Sequence, residues 1–338
     1  MTILLLGGRG KTTRRLASIL STCAPEVPFL VASRTSYPSS PYKHVKFDWF
    51  DESTWAQPFN AVSTSVSASA SASASASASA SASASAVRTE FQYSSSPITG
   101  VYIVGPPILD MVPLMKRFID FARGRGVRRF VLLSSSVLER GGFAMGQVHD
   151  YLAGLEENGV KEAEAEAEGG IEWAALRPSW FMENFSEGQH LLSIKEESKI
   201  YSATGEGRVP FVSAEDIARV AFRALTDARP HNTEHLILGP ELLSYDDLAD
   251  ILSSVLGRTI AHVKLSEAEL AARMESTLGI PQDYAQMLAV LETNIKNGEE
   301  DRMNDDVEKV TGKGPRRFRD FSEASSGCWV KIWDGHFM

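Results

Sequence analysis

The stretch ILLLGGRGKTTRRL, Ile3 to Leu16, constrains the fold of this 338-residue chain more than any other. A short apolar run meets glycines and then a helix-prone segment. A strand therefore turns tightly into a helix whose N-terminus faces negative charge. Two phosphate-binding loops have that outline. A P-loop needs Gly-x-x-x-x-Gly-Lys-Ser/Thr. Gly10-Lys11-Thr12 supplies its end, but the opening glycine would fall at Leu5, inside the strand. The dinucleotide pattern fits better. Gly7, Gly10 and Thr13 stand at Gly-x-x-Gly-x-x-Gly spacing, and Gly8, Gly10 and Thr13 at Gly-x-Gly-x-x-Gly. The last glycine only lets helix and strand pack closely, so threonine there is a tolerable loss. Gly7, Gly8, Gly10, Lys11 and Thr12 are assigned to the cofactor.

The rest of the N-terminal half alternates strands and helices. Apolar runs at Pro28–Ser33, Val45–Phe47, Ile98–Val104, Arg129–Leu133 and Glu172–Leu176 read as strands, and Lys11–Leu20 and Met111–Arg123 as helices. That alternation predicts an α/β chain, a Rossmann-type doubly wound parallel sheet. Residues 1–178 are expected to form the NADP-binding part. Residues 179–338 are expected to form a smaller, mostly helical part that mainly binds substrate, with 235–239 returning to the sheet. Ser213, Ser244 and Ser266, each with an acid three residues on, read as helix caps. Two low-complexity segments interrupt the pattern. The Ser-Ala alternation Ser67–Ala86 lies within an insert over 61–96 expected to be disordered, because alanine buries little area. Lys161–Glu168 alternates Glu with Ala and is expected to extend a helix into solvent.

The residue at the end of the second strand separates the nicotinamide cofactors. An acid there holds ribose hydroxyls; Ser33-Arg34 stands instead, and a guanidinium suits the extra phosphate of NADPH. The alternative is an ordinary surface arginine. Lys11 could add charge to that phosphate or to the pyrophosphate. Asp48, after the third strand, either touches the adenine or caps the next turn. Gly105-Pro106 and Arg177-Pro178 stand at strand carboxyl ends, where such sheets bind ligands, and join the cofactor set.

Composition narrows the partners. A net charge of -9 argues against general nucleic-acid binding, and no apolar run reaches the roughly 20 residues of a membrane span. Cys23 and Cys328 form no C-x-x-C, and no histidine cluster suggests a metal. These features predict a cytoplasmic protein. Its chemistry is marked by an absence. Many reductases of this architecture use Ser, Tyr and Lys, with Tyr-x-x-x-Lys on a helix. Ser134 and Tyr151 are the candidates, but Leu155 stands where the lysine belongs. Carbonyl reduction creates an alkoxide that needs a proton, whereas an iminium accepts hydride and becomes a neutral amine. Such a site needs a dry pocket that binds a cation without trapping it. Trp180 and Phe181, in RPSWFMENF after the sixth strand, could supply aromatic faces. His149 is a further candidate substrate contact.

TILLLGGRGKT, PFLVASR, FDWFDESTW, GPPILD, RRFVLLSSSV, ERGGFAMGQVHDYL, LRPSWFMENFS and IYSATGEGRVPFVSAEDIARVAFRAL together resemble the fungal agroclavine/festuclavine dehydrogenases, NmrA-like atypical short-chain reductases. LGPELLSYDDLADILSSVLGR extends the resemblance over nearly the whole chain; the two inserts and the tail after Phe321 depart from it. The resemblance implies NADPH-dependent reduction of a tetracyclic iminium derived from chanoclavine-I aldehyde. In some systems of that family, glutathione or a partner ene-reductase helps to form that substrate. NmrA-like proteins also include redox-sensing regulators that bind NADP(H) without turnover, and a missing Tyr-x-x-x-Lys suits both. A carbonyl reductase using Ser134 and Tyr151 alone is a third reading.

Overall fold

The computed structural model describes residues 1–35, 39–62, 96–163 and 170–330. The Ser-Ala tract, and the Glu-Ala segment beyond 163, lie outside the described residues. In chain order the elements are β1 (Thr2–Leu5), α1 (Lys11–Cys23), β2 (Phe29–Ser33), β3 (His44–Lys46), β4 (Ile98–Ile103), α2 (Val112–Arg123), β5 (Arg129–Leu133), α3 (Met145–Ala163) and β6 (Glu172–Pro178). There follow α4 (Glu183–Ser186), β7 (Lys199–Ser202), α5 (Ala214–Thr226), β8 (Thr233–Ile237), α6 (Tyr245–Leu256) and β9 (Ala261–Lys264). The chain closes with α7 (Glu267–Leu278), α8 (Gln282–Lys296), α9 (Asp306–Thr311) and α10 (Phe318–Ser325).

Seven strands form one parallel sheet in the order β3-β2-β1-β4-β5-β6-β8. Side chains alternate across a strand, and each face feeds a separate core. Leu4, Leu6, Phe130 and Leu132 pack with Met115 and Phe118 of α2 and Val148 and Leu152 of α3. Ile3, Leu5 and Val131 pack with Leu16 and Leu20 of α1 and Ile217 and Ala221 of α5. A strand covered on both faces must be apolar throughout, which is why β1 is an unbroken buried run. The sheet takes three elements from beyond residue 178: α5 and α9 cover it, and β8 pairs with β6, Leu176 opposite His235.

The rest of the C-terminal half has its own core around Phe185, Phe211, Tyr245, Phe318 and Phe321, with β7 and β9 as a separate parallel pair. Ser244 and Ser266 complete reciprocal capping boxes, and the Ser213 side chain accepts the Asp216 N–H. The aromatic tail belongs to this core up to Trp329, which is 1% exposed and donates its indole N–H to the Phe185 carbonyl at 2.8 Å. Residues 331–338 lie outside the described set. No described helix is long and apolar enough to cross a membrane.

Candidate active site

The strand order reverses at β1, which has β2 on one side and β4 on the other, and ligands of such sheets bind at that point. Two cavities open there. The first, about 560 Å³, is lined by the loop Gly7–Gly10, by Ala32–Thr35 after β2, by Phe47–Phe50 after β3, and by Val104–Pro107 after β4. Its floor requires glycine. Gly7 has φ +67°, a conformation that L side chains rarely adopt. A Cβ on Gly8 would lie 2.6 Å from Val31 Cγ1 and 3.0 Å from the Ala32 carbonyl oxygen. The backbone can therefore approach a pyrophosphate, and Gly10 opens α1 with no side-chain cap over the helix N–H groups. These features fit a dinucleotide. Thr13 does more than tolerate the third glycine position. Its buried hydroxyl donates to the Leu6 carbonyl at 2.9 Å, tying helix to strand.

Arg34 lines this cavity, as sequence spacing suggested, and so does Arg9, which that spacing did not single out. Both are exposed at its mouth. Asp48 also lines it, while its Oδ1 accepts the Phe50 N–H at 3.0 Å, so it caps the turn. Trp49 and Trp55 fix that wall by donating indole N–H groups to the Val104 and Asp48 carbonyls, both at 3.1 Å.

The second cavity, about 530 Å³, shares Gly10, Val104, Gly105, Pro106 and Pro107 with the first. It takes Lys11 and Thr12 from α1, Ser134 and Ser135 from the end of β5, Pro178 from the end of β6, and Trp180 and Phe181 beyond it. Phe143 and Met145 close one side; Tyr284, Met287, Leu288 and Leu291 of α8 close another. Those contributions come from far along the chain, with no local signal to mark them. Phe185 of the same aromatic segment is wholly buried in the C-terminal core. The Ser134 hydroxyl belongs to the lining, buried and without a hydrogen-bond partner among the described residues.

Among the described residues, Lys11 is the single charged residue of this lining, and no carboxylate belongs to it. Its Nζ donates to Asn184 Oδ1 at 2.7 Å, and burial lowers its pKa. It stands in the second cavity, not beside Arg34 in the first. Arg15 pairs with Glu187 at 2.7 Å, and buried Glu183 accepts the Ala214 N–H at 2.7 Å at the start of α5. The Lys11 and Arg15 contacts bind the cofactor-loop helix to α4 and the residue after it, directly after Trp180 and Phe181, and the Glu183 contact ties α4 to α5.

Three expected site residues line neither cavity. The Tyr151 hydroxyl donates to Asp120 Oδ1 at 2.5 Å, across to α2, and burial followed by that hydrogen bond pushes its pKa up to about 12. Tyr151 is therefore placed on the outer helical layer as a poor acid. Tyr284 is the tyrosine at the cavity. His149, two residues before Tyr151, turns to another face of α3 and packs against Trp173, with ring centroids 5.1 Å apart. Arg177 bonds Glu234 and the Ser136 carbonyl, both at 2.9 Å. Each strand residue points to the face opposite its neighbour, so Arg177 and Pro178 part company at the end of β6.

Comparison with known proteins agrees with this geometry. A family model described as NAD(P)H-binding matches residues 7–228, and one described as NmrA-like matches 157–323. The chain is 44% identical to festuclavine synthase I of Penicillium roqueforti, over 98% of this chain and 100% of that one. It is 43% identical to agroclavine dehydrogenase of Claviceps fusiformis, over 98% and 99%. A triphenylmethane reductase of Citrobacter sp., complexed with NADP(H), shares the fold with a TM-score of 0.67 at 18% identity, over 96% of this chain and 100% of that one. The nucleotide-binding loop, the doubly wound sheet and these full-length likenesses place the chain in the festuclavine/agroclavine dehydrogenase family of NmrA-like, NAD(P)-binding oxidoreductases.

Proposed function

We propose that this protein reduces a tetracyclic iminium, formed from chanoclavine-I aldehyde, to agroclavine or a related clavine, with NADPH as hydride donor. The observation that carries this reading is the second cavity: largely apolar, continuous with the nucleotide cavity, and without the Tyr151 hydroxyl. In this reading the first cavity holds the adenosine end, with Arg34 and Arg9 on the ribose phosphate, and Gly7–Gly10 cradle the pyrophosphate. Residues 1–178 supply the cofactor half, and the substrate wall combines their strand ends and loops with Trp180, Phe181, Tyr284 and Met287 from 179–338. Bound NADPH supplies the hydride. The chain's own part is positional and electrostatic. Phe143, Trp180, Phe181 and Tyr284 offer aromatic faces to a flat cation and exclude water. With no carboxylate in the lining among the described residues, the cation is held without a counter-charge. The loss of positive charge on hydride addition is then not opposed. Lys11 works in the same sense by disfavouring the cationic ground state. Ser134 is available to hold a polar group of substrate or nicotinamide. No step consumes a proton, so the placement of Tyr151 is no defect.

Glutathione or an ene-reductase enters this proposal only in forming the iminium, upstream of the reduction. The test is NADPH consumption by the purified protein with chanoclavine-I aldehyde and glutathione, the product identified by mass. NADH and enzyme-free reactions serve as controls. Enzyme-dependent formation of a clavine is the expected result. NADPH binding without turnover would refute the proposal in favour of a redox-sensing regulator. Turnover of ketones or quinones in its place would favour a carbonyl reductase.

A further inference from the structure

Tyr284 brings more than a ring to the substrate cavity. It lines that cavity together with Met287, Leu288 and Leu291 of α8. Their spacing of i, i+3, i+4 and i+7 puts the four side chains on one helix face. The other face is held from behind. Ala285 and Ala289 are buried against Leu270 and Met274 of α7, and the buried Glu292 carboxyl accepts the Ala203 N–H at 2.8 Å. Packing on that far side fixes the phase of α8 and turns Tyr284 to the cavity.

Tyr284 is half-buried. Its hydroxyl makes no hydrogen bond among the described residues and keeps accessible surface. Burial raises its pKa, so the oxygen lies within the cavity wall, not in open solvent, and the group stays a neutral phenol. A phenol of that kind is a poor acid and a serviceable hydrogen-bond partner. Most other side-chain oxygens of the lining are already engaged or sealed off. Asn184 Oδ1 accepts from Lys11 at 2.7 Å, and Thr12 Oγ1 from the Tyr102 hydroxyl at 3.0 Å. The Ser134 hydroxyl is buried. Ser135 stands just beyond β5, on the strand-end side where the nicotinamide has to reach the carbon it reduces. The wall built by α8 is left with one oxygen acceptor, on Tyr284.

We propose that the Tyr284 hydroxyl orients the substrate, by accepting the N–H of an indole carried on a flat cation. This rests on the iminium reading above and deepens it. A tetracycle formed from chanoclavine-I aldehyde carries an indole, and its N–H loses water on entering an apolar cavity. An unpaired buried donor is costly, so the ring system settles with that edge on Tyr284. The opposite edge then faces the strand ends and the nicotinamide. Tyr284 is a substrate-binding and specificity residue in this scheme, and it transfers no proton.

The test is calorimetric titration of the full chain with NADP⁺ present, which permits no reduction. The probe is a β-carbolinium ion methylated on its pyridine nitrogen, which is flat, permanently charged and bears an indole N–H. Its benzofuran counterpart keeps the shape and charge and has a ring oxygen in place of the N–H. The wild type should bind the carbolinium about fivefold more tightly than the counterpart, the value of one neutral hydrogen bond. Tyr284→Phe should bring the two probes within about twofold of each other, by weakening the carbolinium and not the counterpart. If Tyr284→Phe proves unstable, Tyr284→Leu should remove the same preference. Equal binding of both probes by the wild type would overturn the proposal. So would a preference that survives loss of the hydroxyl, or no saturable binding of either probe. Intact preference without clavine formation would count against iminium reduction and leave this contact standing; clavine formation without the preference would do the reverse.

Discussion

Arg34→Ala tests whether the first cavity discriminates NADPH from NADH. The guanidinium stands at the cavity mouth immediately after β2, exposed to solvent. A charge-assisted hydrogen bond contributes about 1.5–3 kcal/mol, and solvent screening at an exposed position places this one near the lower end. About 1.5 kcal/mol corresponds to roughly a tenfold rise in the Kd for NADPH. NADH lacks the ribose phosphate, so its Kd should change by less than about twofold. Arg9 lines the same mouth, and Arg9→Ala should act in the same direction. If both contact one phosphate, the double variant should exceed the product of the single effects, because each guanidinium partly substitutes for the other when only one is removed. Titration of nicotinamide fluorescence with each cofactor measures all of these values. Raising the salt concentration should shrink the NADPH preference of the wild type. Equal weakening of both cofactors by Arg34→Ala would refute the phosphate assignment, as would no effect on either.

Tyr151→Phe should keep kcat and KM for iminium reduction within about twofold and lower stability by about 1 kcal/mol, the value of one hydrogen bond. Collapse of turnover in a folded variant would return this hydroxyl to the chemistry. Glu292 of α8 is fully buried, and burial pushes its carboxyl up from 4.5 to about 8. Its proton is kept in the folded state after the unfolded chain has released it. The residue therefore leaves stability unaffected below about pH 4.5, erodes it from there to about pH 8, and has no further effect above. The loss is on the order of a few kcal/mol. Glu292→Gln should flatten this fall in urea unfolding across the window; an unchanged slope would show that Glu292 ionises in the folded protein without that cost.

The sheet was legible because each strand carries a local signature. A strand buried on both faces must be a short apolar run; β1, β2, β4 and β5 read that way, and β6 does over Trp173–Leu176, before the buried Arg177. The capping serines were legible for the same reason, since Ser244 and Asp247 meet three residues apart. The nucleotide loop was also local, because tight turns and close backbone approach select glycine in sequence. Arg9 lay inside that loop, and only its place on the cavity wall distinguishes it from a surface arginine.

The substrate site was only partly legible. Trp180 and Phe181 follow a strand end and were found by position. Tyr284 and Met287 reach the cavity from a helix about a hundred residues later, through packing that no short spacing encodes. Helix phase also mattered. His149 and Tyr151 are two residues apart, which on a helix turns them to different faces, and neither turns to the cavity. Sequence alone therefore determined the layered sheet, the cofactor loop and the family. Tertiary structure decided which polar side chains stand in one cavity, because that depends on the facing and approach of elements far apart in the chain.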